Sequence, residues 1–144
     1  MFALSIAAAA LAPPPAPPPG TPPTTLADLI RIEGTCSLSV LIVGDDGLSQ
    51  QFNSAVIDAV KKSEGKFCRR AIGNYVIFTN SNVVPITSHS FRYRVTAHDA
   101  RDFIANHDSG REARLGEAKG ECKTRIKTCA SQAVDVLIRT LEAR

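Results

Sequence analysis

The stretch LSVLIV at residues 38–43, followed by GDDG at 44–47 and by an amphipathic run from Leu48 to Lys62, decides the fold of this chain. The first segment is short, rich in β-branched residues and almost wholly apolar, which is typical of a strand covered on both faces. In the third segment, apolar residues recur at helical spacing and polar residues fill the opposite side. Because Gly65 interrupts that pattern, we predict that the helix ends there. The sequence therefore predicts a buried strand, a tight turn and an amphipathic helix in succession.

Two further strands are predicted after this helix. The second runs from Ile72 or Tyr75 to Thr79, and an irregular link at 83–88, which contains a proline, separates it from the third. The third strand, at 90–97, alternates apolar and polar side chains, as a half-buried antiparallel strand does. The order strand–helix–strand predicts a right-handed parallel crossover between the first two strands. The second and third strands are then expected to pair in antiparallel fashion.

The remaining segments are predicted to be helices and one long loop. Residues 25–34 are expected to form a short helix, and Asp99 is expected to cap another. Polar residues at 106–120, with three glycines as breakers, indicate a loop, for which a helical piece at 112–118 is the alternative. The final run, at 126–141, follows the 3.6-residue period most clearly of all. We therefore predict an α+β fold, with a small mixed sheet of about three strands, a β-α-β-β core, helices mainly on one face and a long C-terminal helix.

Two unusual segments precede this domain. Residues 1–12 are apolar and residues 13–24 are rich in proline. An apolar run of roughly ten residues has the length of a signal-peptide core, but it is too short to cross a bilayer, which needs about 20. The prolines favour an extended spacer. We expect residues 25–144 to form a single exported domain without a transmembrane span, and a disordered tail on a cytosolic protein is the alternative.

Composition indicates an ordinary globular domain with a mild positive charge. Hydrophobic residues make up 44% of the chain and charged residues 22%, which argues against disorder. The formal net charge of +3 is too small for a nucleic-acid footprint, so we expect no nucleic-acid partner. Two basic groups, at 61–70 and 119–127, are expected to be solvated surface. The alternative is a basic rim that meets an anionic partner.

Four cysteines, Cys36, Cys68, Cys122 and Cys129, indicate structural disulfides in an oxidising compartment. If the last two lie in one helix, they are about 10.5 Å apart along its axis, whereas a disulfide needs Cα atoms within about 7 Å. We therefore predict that Cys122 does not pair with Cys129. Two bridges are instead expected to staple the last helix to the sheet edge that holds Cys36 and Cys68, in either of two pairings. Because no C-x-x-C motif occurs, a zinc or redox site is the less favoured use of these thiols.

Asp45, Asp46 and the histidines are the candidates for binding or catalytic chemistry. The two carboxylates follow a buried strand, at the edge where α/β sheets bind ligands, and they would suit a divalent cation. An ordinary turn with a helix cap explains them as well, and we favour it. His98 and His107 would share a site only if folding brings them together. No cofactor or metal is therefore expected.

Taken together, these features predict an exported, non-catalytic binding or interaction domain, with another envelope or extracellular protein as its partner. One alternative is a small secreted hydrolase or metal-dependent enzyme that uses Asp45 and Asp46, or His98 and His107. The other alternative is a structural protein of the cell envelope. Because the chain contains no phosphate-binding, dinucleotide-binding or nucleophile-elbow motif, an enzyme is the less favoured class.

Overall fold

The computed structural model describes residues 30, 32, 34–42, 46–111 and 113–144. The leader predicted at 1–12, the linker predicted at 13–24, most of the helix predicted at 25–34 and the candidate residue Asp45 lie outside this part of the chain. The described elements are, in chain order, β1 (Ser37–Ile42), α1 (Gly47–Cys68), β2 (Tyr75–Asn80), β3 (Val84–Thr87), β4 (Ser90–Asp99), α2 (Ala100–Asn106), a 3-10 turn (His107–Ser109), β5 (Arg114–Cys122) and α3 (Ile126–Glu142).

The described strands form one mixed sheet of five members. β1 and β2 are parallel, with Ser37 opposite Tyr75 and Ile42 opposite Asn80. β4 is antiparallel to β2, to β3 and to β5. Because β2 and β3 pair with different halves of the same edge of β4, the five strands make four rows, in the order β1, β2 with β3, β4, β5. The predicted α+β class, the parallel first pair and the antiparallel second pair are confirmed, whereas the predicted count of about three strands is too low.

β5 was predicted to be a loop, because its glycines were interpreted as breakers. In the structure, Gly116 and Gly120 lie in strand β5, Gly116 next to an irregularity in its pairing with β4, and small residues are needed there for close packing. A Cβ at Gly116 would lie 3.3 Å from Leu137 Cδ2 and 3.3 Å from Thr140 Cγ2, and one at Gly120 would lie 3.2 Å from the Tyr93 hydroxyl. The glycines therefore let α3 and a tyrosine ring approach the sheet.

β3 was predicted to be an irregular link. It is a four-residue strand whose side chains are all exposed, and it forms a hairpin with the start of β4. A proline is tolerated in such a strand when it lies at a bulge or an edge, and the β3–β4 pairing is irregular between Pro85 and Thr87. Periodicity gives no signal here because neither face of β3 is buried.

The main core lies between the sheet and the two long helices, α1 and α3. Phe52 of α1 is fully buried, and its ring lies 5.6 Å from the ring of Phe91 and 5.2 Å from that of Tyr93, both on β4. Burial of one such side chain contributes about 1.5–3 kcal/mol to stability. Asn53, next to Phe52, accepts a hydrogen bond from the buried side chain of Asn80 at the end of β2.

A smaller cluster, formed by Ile30, Ile77, Ala100 and Phe103, lies on the opposite face, under the short helix α2. This cluster corrects the prediction that β4 has one wet face along its whole length. Arg92 and Arg94 are exposed, as expected, but Thr96 and His98 on the same face are buried near α2. As predicted, Asp99 caps α2, accepting a hydrogen bond from Asp102 N–H at 3.0 Å.

Helix α1 passes through Gly65 and ends at Cys68, whereas the sequence predicted its end at the glycine. A glycine inside a helix costs only about 1 kcal/mol relative to alanine. Two contacts beyond it offset that cost, because Phe67 is buried in the core and Cys68 is bound to Cys36. The extra turn is therefore held by tertiary contacts, which the local pattern does not contain.

The disulfide prediction is wrong. Cys36 pairs with Cys68, and Cys122 pairs with Cys129 across a Cα–Cα distance of 5.8 Å. The prediction assumed that Cys122 and Cys129 share one helix, but Cys122 is the last residue of β5 and α3 begins at Ile126. The turn between strand and helix brings the two sulfurs together. Cys36 and Cys68 do lie at one edge of the parallel strands, as expected, but they bind each other.

Candidate functional site

Asp46 acts as the cap of α1. Its Oδ1 accepts a hydrogen bond from Ser49 N–H at 2.8 Å and its Oδ2 accepts one from the Ser49 hydroxyl at 2.8 Å. These bonds, the backbone one first, hold the pKa of Asp46 below its ordinary value. The buried Ser49 hydroxyl in turn accepts from Val83 N–H at 3.1 Å. Asp46 therefore orders the start of α1 and, through Ser49, the link that leads into β3.

His98 is 6% exposed, and both of its ring nitrogens have hydrogen-bond partners. Nδ1 lies 3.2 Å from the carbonyl oxygen of Ala113, which can only accept, so the pattern assigns the proton to Nδ1. Nε2 then accepts from the Thr96 hydroxyl at 3.1 Å, and that hydroxyl lies 2.6 Å from the hydroxyl of Thr79. This chain of hydrogen bonds joins β2, β4 and the segment before β5.

The rings of His98 and His107 both contact Phe103, with ring centroids 5.2 Å and 5.6 Å from the phenyl ring. Folding therefore brings the two histidines to the same aromatic ring. Among the residues that the structure describes, no group of three or more His, Cys, Asp and Glu side chains is arranged to hold a metal ion. His89 lies exposed in the β3–β4 turn.

A basic surface covers the open side of β4 and β5. In the register of this pair, Arg92 faces Glu121 and Arg94 faces Lys119. We use the name basic face for the charged side chains of this surface, which are Arg92, Arg94, Arg114, Glu117, Lys119, Glu121 and Lys123. Five of them are cationic and two are anionic, so this one surface carries an excess of positive charge equal to the formal net charge of +3 of the whole chain.

Glu117 organises the centre of the basic face. Its Oε2 lies 3.2 Å from Arg94 Nε and 2.6 Å from Arg114 Nη1, and its Oε1 lies 3.7 Å from Lys119 Nζ. The Glu117 side chain is 18% exposed, whereas the three cationic side chains are each more than half exposed. The Arg94 contact is made through Nε. One carboxylate thus lies within ion-pair distance of three cations, each on a side chain that is more than half exposed.

Two adjoining depressions open on this face. One, of about 640 Å³, is lined by Val84, Arg92, Arg94 and Lys119 among others. The other, of about 370 Å³, is lined by Thr96, His98, Phe103 and Arg114, and it shares Ser81 and Arg94 with the first. Arg94 therefore stands on the ridge between them, where a ligand in either depression would reach it.

The β3–β4 hairpin exposes apolar side chains, and one of them, Val84, lines the first depression. Val84 is 53% exposed and Ile86 is 41% exposed, although both belong to the β3–β4 hairpin. Val84 pairs with Arg92 across the hairpin, so the two side chains share the open face of the sheet. Large apolar side chains in this setting mark contact surfaces when they adjoin polar groups.

A cavity of about 450 Å³ lies beside the C-terminal ends of α1 and α3. Its charged lining is balanced, with Arg70 and Arg144 against Asp99 and Glu142. The basic face combines net charge, fixed cations and exposed apolar groups, and this cavity does not. We therefore take the basic face as the candidate site.

Sequence reasoning did not find this site as a unit. It divided the basic residues into groups at 61–70 and 119–127 and expected both to be ordinary solvated surface. Lys119 lies instead opposite Arg94, which the sequence analysis had assigned only to a wet strand face. The available signal was the strict alternation of charged with small residues from Glu117 to Cys122, which has the period of a strand.

Comparisons with known proteins found no match among protein-family models, curated proteins or solved structures. No helix in the described ranges is long and apolar enough to cross a membrane. The functional assignment therefore rests on the geometry of the basic face.

Proposed function

We propose that this chain is an exported, non-catalytic interaction domain that binds an acidic segment of another envelope or extracellular protein on its basic face. The observation that carries the proposal is the exposed Val84 beside Arg92 and Arg94, over one open depression. Arginine is one of the residues that protein interfaces concentrate, and an exposed apolar side chain that adjoins polar groups marks a contact surface.

Export is supported by the two disulfides, which account for all four cysteines. Disulfides persist in oxidising compartments and are rare in reducing ones. The apolar segment at 1–12 and the proline-rich segment at 13–24 are consistent with a leader and a spacer. The domain would then meet its partner outside the cytoplasm.

A protein partner fits this face better than a uniformly anionic polymer. Glu117 and Glu121 interrupt the cations, so a regular polyanion would meet like charge at both positions. An acidic protein segment can place carboxylates against Arg92 and Arg94 and an apolar side chain against Val84. Mixed charge with an apolar anchor is also a more selective pattern than charge alone.

The proposal can be tested with a photoreactive amino acid at Val84 in the protein in its native compartment. The matched control carries the same group at Ile72, which is 73% exposed and precedes β2, whereas Val84 follows it. We expect mass spectrometry to identify a protein that is captured from Val84 and not from Ile72. The captured protein is then purified, and its affinity for this chain is measured by titration calorimetry.

In the calorimetric experiment, Arg92→Glu is expected to weaken binding about tenfold or more, which corresponds to about 1.4 kcal/mol. Lys61→Glu makes the same charge change on the exposed side of α1 and is expected to leave the affinity within about twofold. Affinity should also fall as salt is raised. Equal capture from both positions, or equal weakening by both variants, would contradict the proposed face.

A further inference from the structure

The two edges of the sheet are protected differently. At the β1 edge, Leu38 N–H donates to Glu64 Oε2 at 2.8 Å, so a side chain of α1 occupies a backbone donor of this six-residue strand. β5 is nine residues long and, among the strands that the structure describes, pairs only with β4. An edge strand presents backbone donors and acceptors that can pair with a strand of another chain. β5 is therefore the edge more open to such pairing.

The charges along β5 identify the strand that suits it. Glu117, Lys119 and Glu121 alternate in sign on the open face, and Lys123 continues the series just after the strand. When two copies of β5 run antiparallel about a two-fold axis at Gly120, Lys119 of each copy faces Glu121 of the other, and Glu117 faces Lys123. Opposite charges in directly opposed positions stabilise a strand pair, and like charges destabilise it. An in-register parallel pair would oppose like charges at every position.

Small residues and an exposed apolar side chain support the same arrangement. On the helix side of β5, Ala118 would face Cys122 of the other copy and Gly120 would face Gly120, so no bulky group obstructs the approach. Val136 of α3 is 46% exposed and lies one turn before Thr140, which lies close to Gly116 of β5. Since residues four apart share a helix face, Val136 lies on the β5 side of α3.

The position of Val136 along the strand can be read from two contacts. Cys129 is bonded to Cys122, and Thr140 lies close to Gly116, so Val136 falls between these two levels, near that of Ala118. A two-fold axis perpendicular to the sheet keeps both copies of α3 on the same face. Val136 of each copy would then lie near the level of Cys122 of the other copy, close to the joined edges.

We propose that a second copy of this chain binds here, with β5 paired to β5 in antiparallel orientation about Gly120 and with the two sheets joined into one. This proposal concerns the edge of the sheet and does not depend on the partner proposed for the basic face, since Arg92 and Arg94 of β4 and Val84 of β3 lie outside the paired strands.

The test is the mass of the full chain in solution by sedimentation equilibrium, at about 100 μM, where a dimer with a micromolar Kd predominates. We expect twice the chain mass of 15.4 kDa. Glu121→Lys should convert the dimer to monomer because Lys119 of one copy then meets the introduced ammonium group of the other. The double variant Lys119→Glu with Glu121→Lys should restore the dimer because it exchanges the signs of the opposed pair.

Lys61→Glu is the matched control and should sediment as the unchanged chain does. Val136→Asp, which leaves the strand intact, should weaken the dimer in the same assay, and circular dichroism checks that each variant is folded. A monomeric unchanged chain overturns the proposal, as does a dimer that persists in Glu121→Lys. If the double variant folds but stays monomeric, the register about Gly120 is wrong. That result is expected for an axis at Ala118, because Glu117 of one copy would then face the carboxylate introduced at position 119 of the other.

Discussion

Removal of the two disulfides should destabilise the protein unequally, and the inequality follows from the pairing. The Cys36–Cys68 bridge closes a loop of 32 residues, whereas the Cys122–Cys129 bridge closes a loop of seven. On the chain-entropy estimate the first contributes about 3.7 kcal/mol to the free energy of unfolding and the second about 2.4 kcal/mol. The pairing predicted from the sequence would close longer loops, and each bridge would then contribute more than about 4 kcal/mol.

The two bridges must be compared without disturbing the packing of the core. Cys122 and Cys129 are buried, whereas Cys36 and Cys68 are partly exposed, so alanine substitutions would also create unequal cavities. Each variant is therefore compared only with itself, by urea unfolding before and after reduction, so that the same side chains are present in both measurements. The variant Cys36→Ala with Cys68→Ala retains the Cys122–Cys129 bridge. The variant Cys122→Ala with Cys129→Ala retains the Cys36–Cys68 bridge.

The expected loss on reduction is about 2.4 kcal/mol when only Cys122–Cys129 is present and about 3.7 kcal/mol when only Cys36–Cys68 is present. A peptide map of the unchanged protein without reductant checks the connectivity independently. Trypsin should release the Cys122 peptide bound to the Cys129 peptide, and the Cys36 peptide bound to the Cys68 peptide. A map that links Cys36 to Cys122 or to Cys129, or a larger loss for the short loop, would refute the reasoning.

Three smaller predictions concern α1 and β5. Gly65→Ala should raise the free energy of unfolding by about 1 kcal/mol, since a Cβ there meets nothing within 4 Å, and a urea midpoint that does not rise would contradict this. Gly116→Val should lower the free energy by about 1–3 kcal/mol, because α3 lies against that position; an unchanged midpoint would mean that α3 packs less closely. The hydrogen bonds from Ser49, the backbone one first, hold the pKa of Asp46 below its ordinary value, so its ionised cap stabilises the fold at neutral pH, and this contribution is lost as the pH falls toward the lowered pKa. Asp46→Asn caps without titrating, so the Tm difference between it and the unchanged chain should shift against the unchanged chain as the medium is acidified through the ordinary carboxyl range. A constant Tm difference would rule out this linkage.

The sequence was most informative where structure follows from local pattern. The long helix α3 and the alternation in β4 were predicted because each buries one face, and burial of one face leaves a periodic trace in the sequence. The turn that contains Asp45 and Asp46 was expected to cap α1, which Asp46 does, and Asp99 was expected to cap α2, because a cap depends on backbone groups within three residues.

The errors arose where a residue's role depends on the side chains of other elements that pack against it. Gly116 and Gly120 break a strand in isolation, but under α3 and Tyr93 they are the residues that fit. Once β5 was interpreted as a loop, Cys122 was assigned to the following helix and its true partner was excluded. The same error kept the basic face from being predicted as one surface, because Arg94 lies opposite Lys119 only when β4 and β5 are paired.

The sequence by itself determined the α+β class, the helix caps, the parallel first pair of strands and the even set of cysteines. Each depends on periodicity, chain direction or the chemistry of near neighbours. Only the tertiary structure decided the fifth strand, the disulfide pairing and the surface on which Glu117 holds three cations. These depend on contacts between segments far apart in the chain, and such contacts select small or charged residues without leaving a local pattern.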